Sequence, residues 1–173
     1  LWFEVPGERA EHLTSRADPW LLAVVHAAMA RGRPLHVAGP VHGTLLAHLE
    51  EYQAAFAAWA DRDRWPNSPR YHHVAITADE VADDPAPAAP TICAFSGGVD
   101  STFTLGRHAR GEAGAATRPI GAALMVAGFD IPVADRAVFD RAVTRARHIT
   151  DDLGVELLTA RTNLRELDLV WPD

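Results

Sequence analysis

The chain has 173 residues, of which 48% are hydrophobic and 23% are charged, a composition typical of a folded protein rather than a disordered one. Its net charge of −7 argues against a broad nucleic-acid surface, which requires an excess of basic residues. A single cysteine excludes an intrachain disulfide and a multi-cysteine zinc site, and no apolar run approaches the roughly 20 residues that span a bilayer. We therefore expect a cytoplasmic protein of one or two domains, without a membrane or nucleic-acid partner.

Residues 1–78 predict a small α/β domain whose role the sequence does not reveal. Asp18-Pro19 is a typical helix start, with an acid at the N-cap and proline at the first helical position, and Gly32 is placed to end that helix. The remaining predicted elements of this part are strands at 1–5, 35–38 and 71–77 and a helix over about 42–62.

The next twelve residues, 79–90, predict a linker. They contain three prolines and four acids, a composition that suits neither a buried core nor the interior of a helix. We therefore place the boundary between two domains here.

The stretch that follows, Thr91–Ser101, reads TICAFSGGVDS. Its first five residues form an apolar run that predicts a strand buried on both faces of a parallel sheet. The run stops at Ser96-Gly97-Gly98, and a helical pattern follows. A strand, a glycine turn and a helix together direct free backbone N–H groups and the positive end of a helix dipole at one point, which favours a phosphate.

Two common phosphate loops do not match this stretch. The mononucleotide loop needs a lysine, and all sixteen basic residues of this chain are arginines. The dinucleotide fingerprint needs a differently spaced set of glycines, whereas Gly97 and Gly98 are adjacent. The sequence Ser96-Gly97-Gly98-Val99-Asp100-Ser101 instead resembles the signature of the PP-loop ATP pyrophosphatases, the superfamily of asparagine synthetase and 7-cyano-7-deazaguanine synthase.

The resemblance implies a Rossmann-like parallel-sheet domain of the HUP type over residues 91–173, with ATP and Mg²⁺ as its cofactors. The six loop residues would bind the phosphates, and Asp100 would hold Mg²⁺ and assist catalysis or, alternatively, cap the helix. By similarity, adenosine would lie beside two strand ends, formed by Ala94 with Phe95 and by Met125 with Val126.

Three more candidates follow from the rule that open α/β sheets bind ligands beyond the carboxyl ends of their strands. Asp130, after the second strand, is expected either near the ribose or metal or as the cap of the next helix. Asn163 and Arg165, after the third strand, are candidates for contacting the substrate or the α-phosphate, with Arg165 as a catalytic cation.

Cys93 is more consistent with a small core residue than with a sulfur carrier, because no second cysteine exists.

Residues beyond the loop predict two further strands, at 120–129 and 155–160, and a helix from Pro132 to about 153 between them. The order β-α-β-α-β implies right-handed crossovers and a parallel sheet. Because doubly wound sheets usually have about five or six strands, we expect the domain to be incomplete at its C-terminus, with a missing portion or a second chain to complete it. The sequence does not determine the oligomeric state, and a homo-oligomer is one of the alternatives.

The activity that the resemblance implies is ATP-dependent adenylation of a small acid, with release of pyrophosphate and then amidation or ligation. Sulfur transfer through the same adenylate is the runner-up. A nucleotide-binding module without catalysis is the alternative of another class, and the absence of lysine is the feature that favours it.

Overall fold

The computed structural model describes residues 1–60, 70–83 and 90–167, without the side chains of residues 11, 12 and 60. The helices are α1 (Asp18–Arg31), α2 (Gly43–Ala60), α3 (Val99–Ala109) and α4 (Arg136–Asp152). The strands are β1 (Phe3–Glu4), β2 (Leu35–His42), β3 (Ile76–Ala82), β4 (Thr91–Ala94), β5 (Ile120–Ala127) and β6 (Glu156–Thr162). No helix within these described ranges is long and apolar enough to cross a bilayer.

The described residues divide into two compact units. One contains residues 1–12 and 90–167, and the other contains residues 13–60 and 70–83. Each unit has its own apolar core.

The unit of residues 13–83 is a parallel pair of strands, β2 and β3, with α1 and α2 packed against it. Helix α1 begins at Asp18 and ends at Arg31, and Gly32 after it takes the left-handed conformation (φ 59°) that glycine tolerates best. The predicted limits of this helix are therefore confirmed, although Ala17 rather than Asp18 occupies the N-cap.

The strand predicted at 71–77 is wrong in its position. In the structure residues 70–75 are irregular, and β3 covers Ile76–Ala82, so the strand continues into the stretch assigned to the linker. The register with β2 explains this shift, because Leu35 pairs with Ile76 and donates its N–H to the carbonyl of Ala75. Residues 84–89 of the predicted linker lie outside the described residues.

The other unit contains a four-stranded sheet in the order β1-β6-β5-β4. Strands β4, β5 and β6 are parallel, and β1 is antiparallel to β6. The expectation of an α/β protein with a mainly parallel sheet and the chain order β-α-β-α-β is confirmed, and the sheet is compatible with a Rossmann-like fold.

Strand β1 connects the start of the chain to this sheet rather than to the residues that follow it. Phe3 pairs with Thr162 and Glu4 with Arg161. The sequence places residues 1–78 in one domain, whereas the structure groups residues 1–12 with the sheet of β4, β5 and β6. The reason is a strand pairing across some 160 positions, which no local pattern encodes.

Helices α3 and α4 pack on the same face of the sheet. Their buried side chains, including Leu105 of α3 and Phe139 of α4, join one cluster with Cys93, Phe95 and Ala123. The two crossovers advance in one direction, from β4 to β5 and then to β6, and successive crossovers of the same hand place their helices on one face.

Strand β4 is at the edge of the sheet, so the prediction that it is buried on both faces is wrong. Cys93 is 9% exposed on the helix-covered face, whereas Ile92 is 56% exposed on the other face. Buried parallel strands need neighbours on both edges and cover on both faces, and among the described residues β4 has a neighbour, β5, on one edge only.

Candidate functional site

The connection from β4 to α3 contains the six residues Ser96–Ser101, which we call the phosphate loop. Gly97 has a φ of +78°, a conformation that side-chain-bearing residues rarely adopt, and a Cβ atom there would meet no atom within 4 Å. Gly98 is the N-cap of α3, in extended conformation. The two adjacent glycines thus reverse the chain at the end of β4 and leave open space above the turn.

Two serines brace this turn. The hydroxyl of Ser101 accepts the N–H of Ser96 at 3.3 Å and lies 3.1 Å from the carbonyl oxygen of Gly98, to which it donates. The hydroxyl of Ser96 accepts the N–H of Gly98 at 3.3 Å and lies 3.3 Å from the hydroxyl of Ser101. The serines therefore fix the shape of the loop, and both N–H bonds are long enough to yield to a charged acceptor.

The remaining N–H groups of the loop are free. Within the described part of the chain, the N–H groups of Gly97, Val99, Asp100 and Ser101 have no acceptor, because the first intrahelical bond of α3 runs from Thr102 to Gly98. Such unsatisfied donors at a helix N-terminus attract an anion. The loop consequently presents a group of unpaired donors to solvent.

An apolar cavity of about 410 Å³ adjoins one side of the loop, beyond the carboxyl ends of β4 and β5. Its lining includes seven of the residues that the sequence singled out: Ala94, Phe95, Ser96, Ser101, Met125, Val126 and Asp130. Phe129 and Ile131 also form part of its wall. Phe95 is 3% exposed and forms part of the core, whereas Phe129 is 43% exposed and available to a ligand.

Asp100 lies in the first turn of α3 with an exposed side chain. The sequence left two roles for Asp100, a Mg²⁺ ligand and a helix cap. Its carboxylate makes no capping hydrogen bond, so the structure does not support the role of a cap. No cluster of three potential metal-ligating side chains occurs among the described residues. Asp100 could thus contribute one carboxylate to a Mg²⁺ ion whose other ligands are phosphate oxygens and water, the arrangement that Mg²⁺ usually takes.

Asp130 lines the same apolar cavity, beyond the end of β5. It does not cap α4, one of the two roles expected for it, because that helix begins at Arg136 with Asp135 as its N-cap. Asp130 lies within a turn that begins at Gly128, whose φ is +101° and whose N–H donates to the carbonyl of Ile131 at 2.8 Å.

Arg165 approaches this cavity from the segment after β6. Its guanidinium donates to the carbonyl of Phe129 at 3.2 Å and lies 4.0 Å from the carboxylate of Asp130. Both side chains are more than half exposed, so the pair is weak and Arg165 can turn toward a ligand. The fold thus brings Asp130 and Arg165 together, 35 positions apart in the chain.

Asn163 takes part in the sheet rather than facing the cavity. Its side-chain oxygen accepts the N–H of Trp2 at 2.9 Å, and the neighbouring Thr162 hydroxyl donates to the carbonyl of Trp2 at 2.8 Å. These bonds anchor β1, which gives Asn163 a structural role that its sequence position does not reveal.

Cys93 is part of the core cluster, as the sequence indicates. Its thiol lies 3.6 Å from the carbonyl oxygen of Ala94, and burial raises its pKa above the usual range. A buried, protonated thiol is a poor nucleophile.

Sequence reasoning missed Arg107 and Arg110. Both lie on or just after α3 and line a second cavity, of about 540 Å³, on the other side of the phosphate loop. Their spacing of three on a helix that starts at a phosphate loop was the available signal, since residues three apart share a helix face.

Comparisons with models of protein families, with curated proteins and with solved structures found no match to the chain. The functional assignment consequently depends on the loop and the residues around it.

Proposed function

We propose that the chain binds ATP at the phosphate loop and uses it to adenylate a small carboxylic acid, with release of pyrophosphate and later amidation or ligation of the acid. The observation that carries this proposal is a set of free N–H groups beside an apolar cavity, at Gly97, Val99, Asp100 and Ser101. The resemblance of the six loop residues to the PP-loop signature supports it.

The two sides of the site suit the two halves of ATP. The cavity lined by Phe95, Met125 and Phe129 is apolar and about 410 Å³, a size and character suitable for adenosine. The loop donors are suitable for the phosphates, whose charge they would stabilise without a lysine. Asp100 would contribute a carboxylate ligand to a Mg²⁺ ion, which would offset the charge of the phosphates.

In the proposed reaction a carboxylate oxygen attacks the α-phosphorus. A bond forms between that oxygen and phosphorus, the bond to the oxygen that bridges to the β-phosphate breaks, and pyrophosphate leaves with the electron pair. Fixed N–H groups of the phosphate loop stabilise the charge that develops on the leaving group. Arg165, held by Phe129 and Asp130, is the candidate cation for the α-phosphate.

A nitrogen nucleophile would then attack the acyl carbon of the adenylate and displace AMP. The net charge of −7 favours a small acid over a nucleic acid as the acceptor. Nothing in the described residues favours sulfur transfer, since the thiol of Cys93 is buried in the core.

A nucleotide-binding module without catalysis is the second candidate. Arg165 is exposed and pairs only weakly with Asp130, and the chain contains no lysine to assist it. Such a module would bind ATP through the same loop without turnover.

The test is an incubation of the protein with ATP, Mg²⁺ and a panel of small acids, followed by separation of the products. AMP and pyrophosphate, formed only when the right acid is present, support the proposal. ADP and phosphate would refute it, and binding of ATP without any turnover would favour the non-catalytic module. Ser101→Ala, which removes a brace of the phosphate loop, serves as the matched variant.

A further inference from the structure

The second cavity beside the phosphate loop follows the outer face of α3, and we call it the α3 groove. Its volume is about 540 Å³, and its lining includes Gly97, Gly98, Thr102, Gly106, Arg107 and Arg110. The groove therefore begins at the loop and ends at two arginines.

Small residues form the floor of the groove. Gly98, Thr102 and Gly106 recur every four positions and so lie along one line of α3. A Cβ atom at Gly106 would meet no atom within 4 Å, so internal packing does not explain a glycine in the middle of this helix. Glycine there is unfavourable relative to alanine, and its visible effect is to leave the path from the loop to the arginines open.

Arg107 and Arg110 line the groove together with the loop glycines. Side chains on a helix tilt toward its N-terminus, and the guanidinium of Arg107 lies 5.5 Å from the centroid of the Phe103 ring, one turn back along α3. Arg107 is eight residues beyond Val99, about 12 Å along the helix axis, and its guanidinium donates to the carbonyl of Glu112, just past the helix. A chain of linked phosphates that starts at the loop can meet a rotated arginine side chain over this distance.

The charges at this end of the groove are not neutralised by ion pairs. Arg107 donates to the backbone carbonyl of Glu112, and Arg110 has no side-chain partner within the described part of the chain. Glu112 also lines the groove, and among the described residues its carboxylate forms no ion pair with either arginine, so its negative charge would oppose an anion there.

We propose that the α3 groove is a binding subsite for pyrophosphate, and for the β- and γ-phosphates of ATP before it is split, with Arg107 and Arg110 as its cations. The inference rests on the proposed function, since it requires a polyphosphate on the phosphate loop. It would explain how a chain without lysine holds the charge of the leaving group, because guanidinium groups bind phosphate oxygens through paired hydrogen bonds. The adenosine cavity lies on the other side of the loop and is lined by different residues.

The experiment measures binding of Mg²⁺-pyrophosphate, ATP and AMP by titration calorimetry. Arg107→Gln and Arg110→Gln should each weaken pyrophosphate and ATP binding roughly tenfold or more, with AMP binding within twofold of wild type. Glu112→Gln should act in the opposite direction and tighten pyrophosphate binding, a gain that loss of folding cannot produce.

Arg145→Gln is the matched control, because it removes one exposed positive charge from α4, away from the loop. It should leave all three affinities within twofold. If ATP binds but the arginine variants bind pyrophosphate like wild type, or lose AMP binding equally, the subsite is wrong and the proposed function stands. If the wild-type protein binds neither ATP nor pyrophosphate, the proposed function itself fails, and the subsite fails with it.

Discussion

Replacing Gly97 with alanine tests whether the backbone of the phosphate loop, rather than the stability of the fold, is what binds ATP. The φ of +78° at this position lies where an alanine is strained by roughly 1–2 kcal/mol, while its new methyl group would meet no atom within 4 Å. The cost therefore comes from the backbone alone, and the loop can relieve it by changing conformation.

A changed loop no longer directs its N–H groups at one point. Loss of two charge-assisted hydrogen bonds, each worth about 1.5 kcal/mol or more, weakens ATP binding about 100-fold. Titration calorimetry measures the affinity, and urea denaturation monitored by circular dichroism measures the free energy of unfolding. We expect that free energy to fall by no more than about 2 kcal/mol.

The matched control is Gly154→Ala. Gly154 has a φ of +65°, and an added Cβ there would also meet no atom within 4 Å, but it follows α4 and is not part of the loop. The two variants should lose similar stability, and only Gly97→Ala should lose ATP binding. If Gly97→Ala binds ATP within threefold of wild type although its stability has fallen like that of the control, the reasoning is refuted.

Three other outcomes test the site and the packing around it. Gly128→Ala should lower the free energy of unfolding by more than about 3 kcal/mol in urea denaturation, since its Cβ would lie 1.8 Å from the carbonyl oxygen of Thr162, and a loss below 1 kcal/mol would contradict the packing. Ser101→Ala should weaken ATP binding roughly tenfold in calorimetry, because it removes the hydroxyl that holds Ser96, and an unchanged affinity would contradict this role. Burial lowers the pKa of His26, so the folded state takes up its proton less readily than the unfolded state, and the free energy of unfolding should fall as the pH drops from 7 to 5. That fall should be smaller in His26→Phe, and equal falls in both proteins would show that other groups cause it.

Local patterns in the sequence predicted the segments whose structure depends on near neighbours. The apolar run from Thr91, the adjacent glycines at 97 and 98 and the helix after them all occur in the structure, with the positive φ at Gly97 that a tight reversal requires. The proline after Asp18 and the glycine at 32 likewise marked α1, because capping and chain termination act within a few residues.

The candidate site was predictable only in part for the same reason. The loop residues are contiguous, so their sequence alone places their N–H groups together. By contrast, Arg165 reaches Asp130 through the pairing of β5 with β6, and Asn163 is diverted from the site by its bond to Trp2. Neither outcome has a local signal, since each depends on which strands become neighbours.

The sequence by itself determined the α/β class, the limits of α1 and the tight serine-glycine turn after β4, since propensity, capping and glycine conformation are properties of short segments. The tertiary structure decided that β1 joins β6, that β4 forms an edge of the sheet and that Arg107 and Arg110 line one groove with the turn. Strand order and shared surfaces depend on contacts between residues far apart in the chain, and the free energy of those contacts is realised only when the whole unit packs.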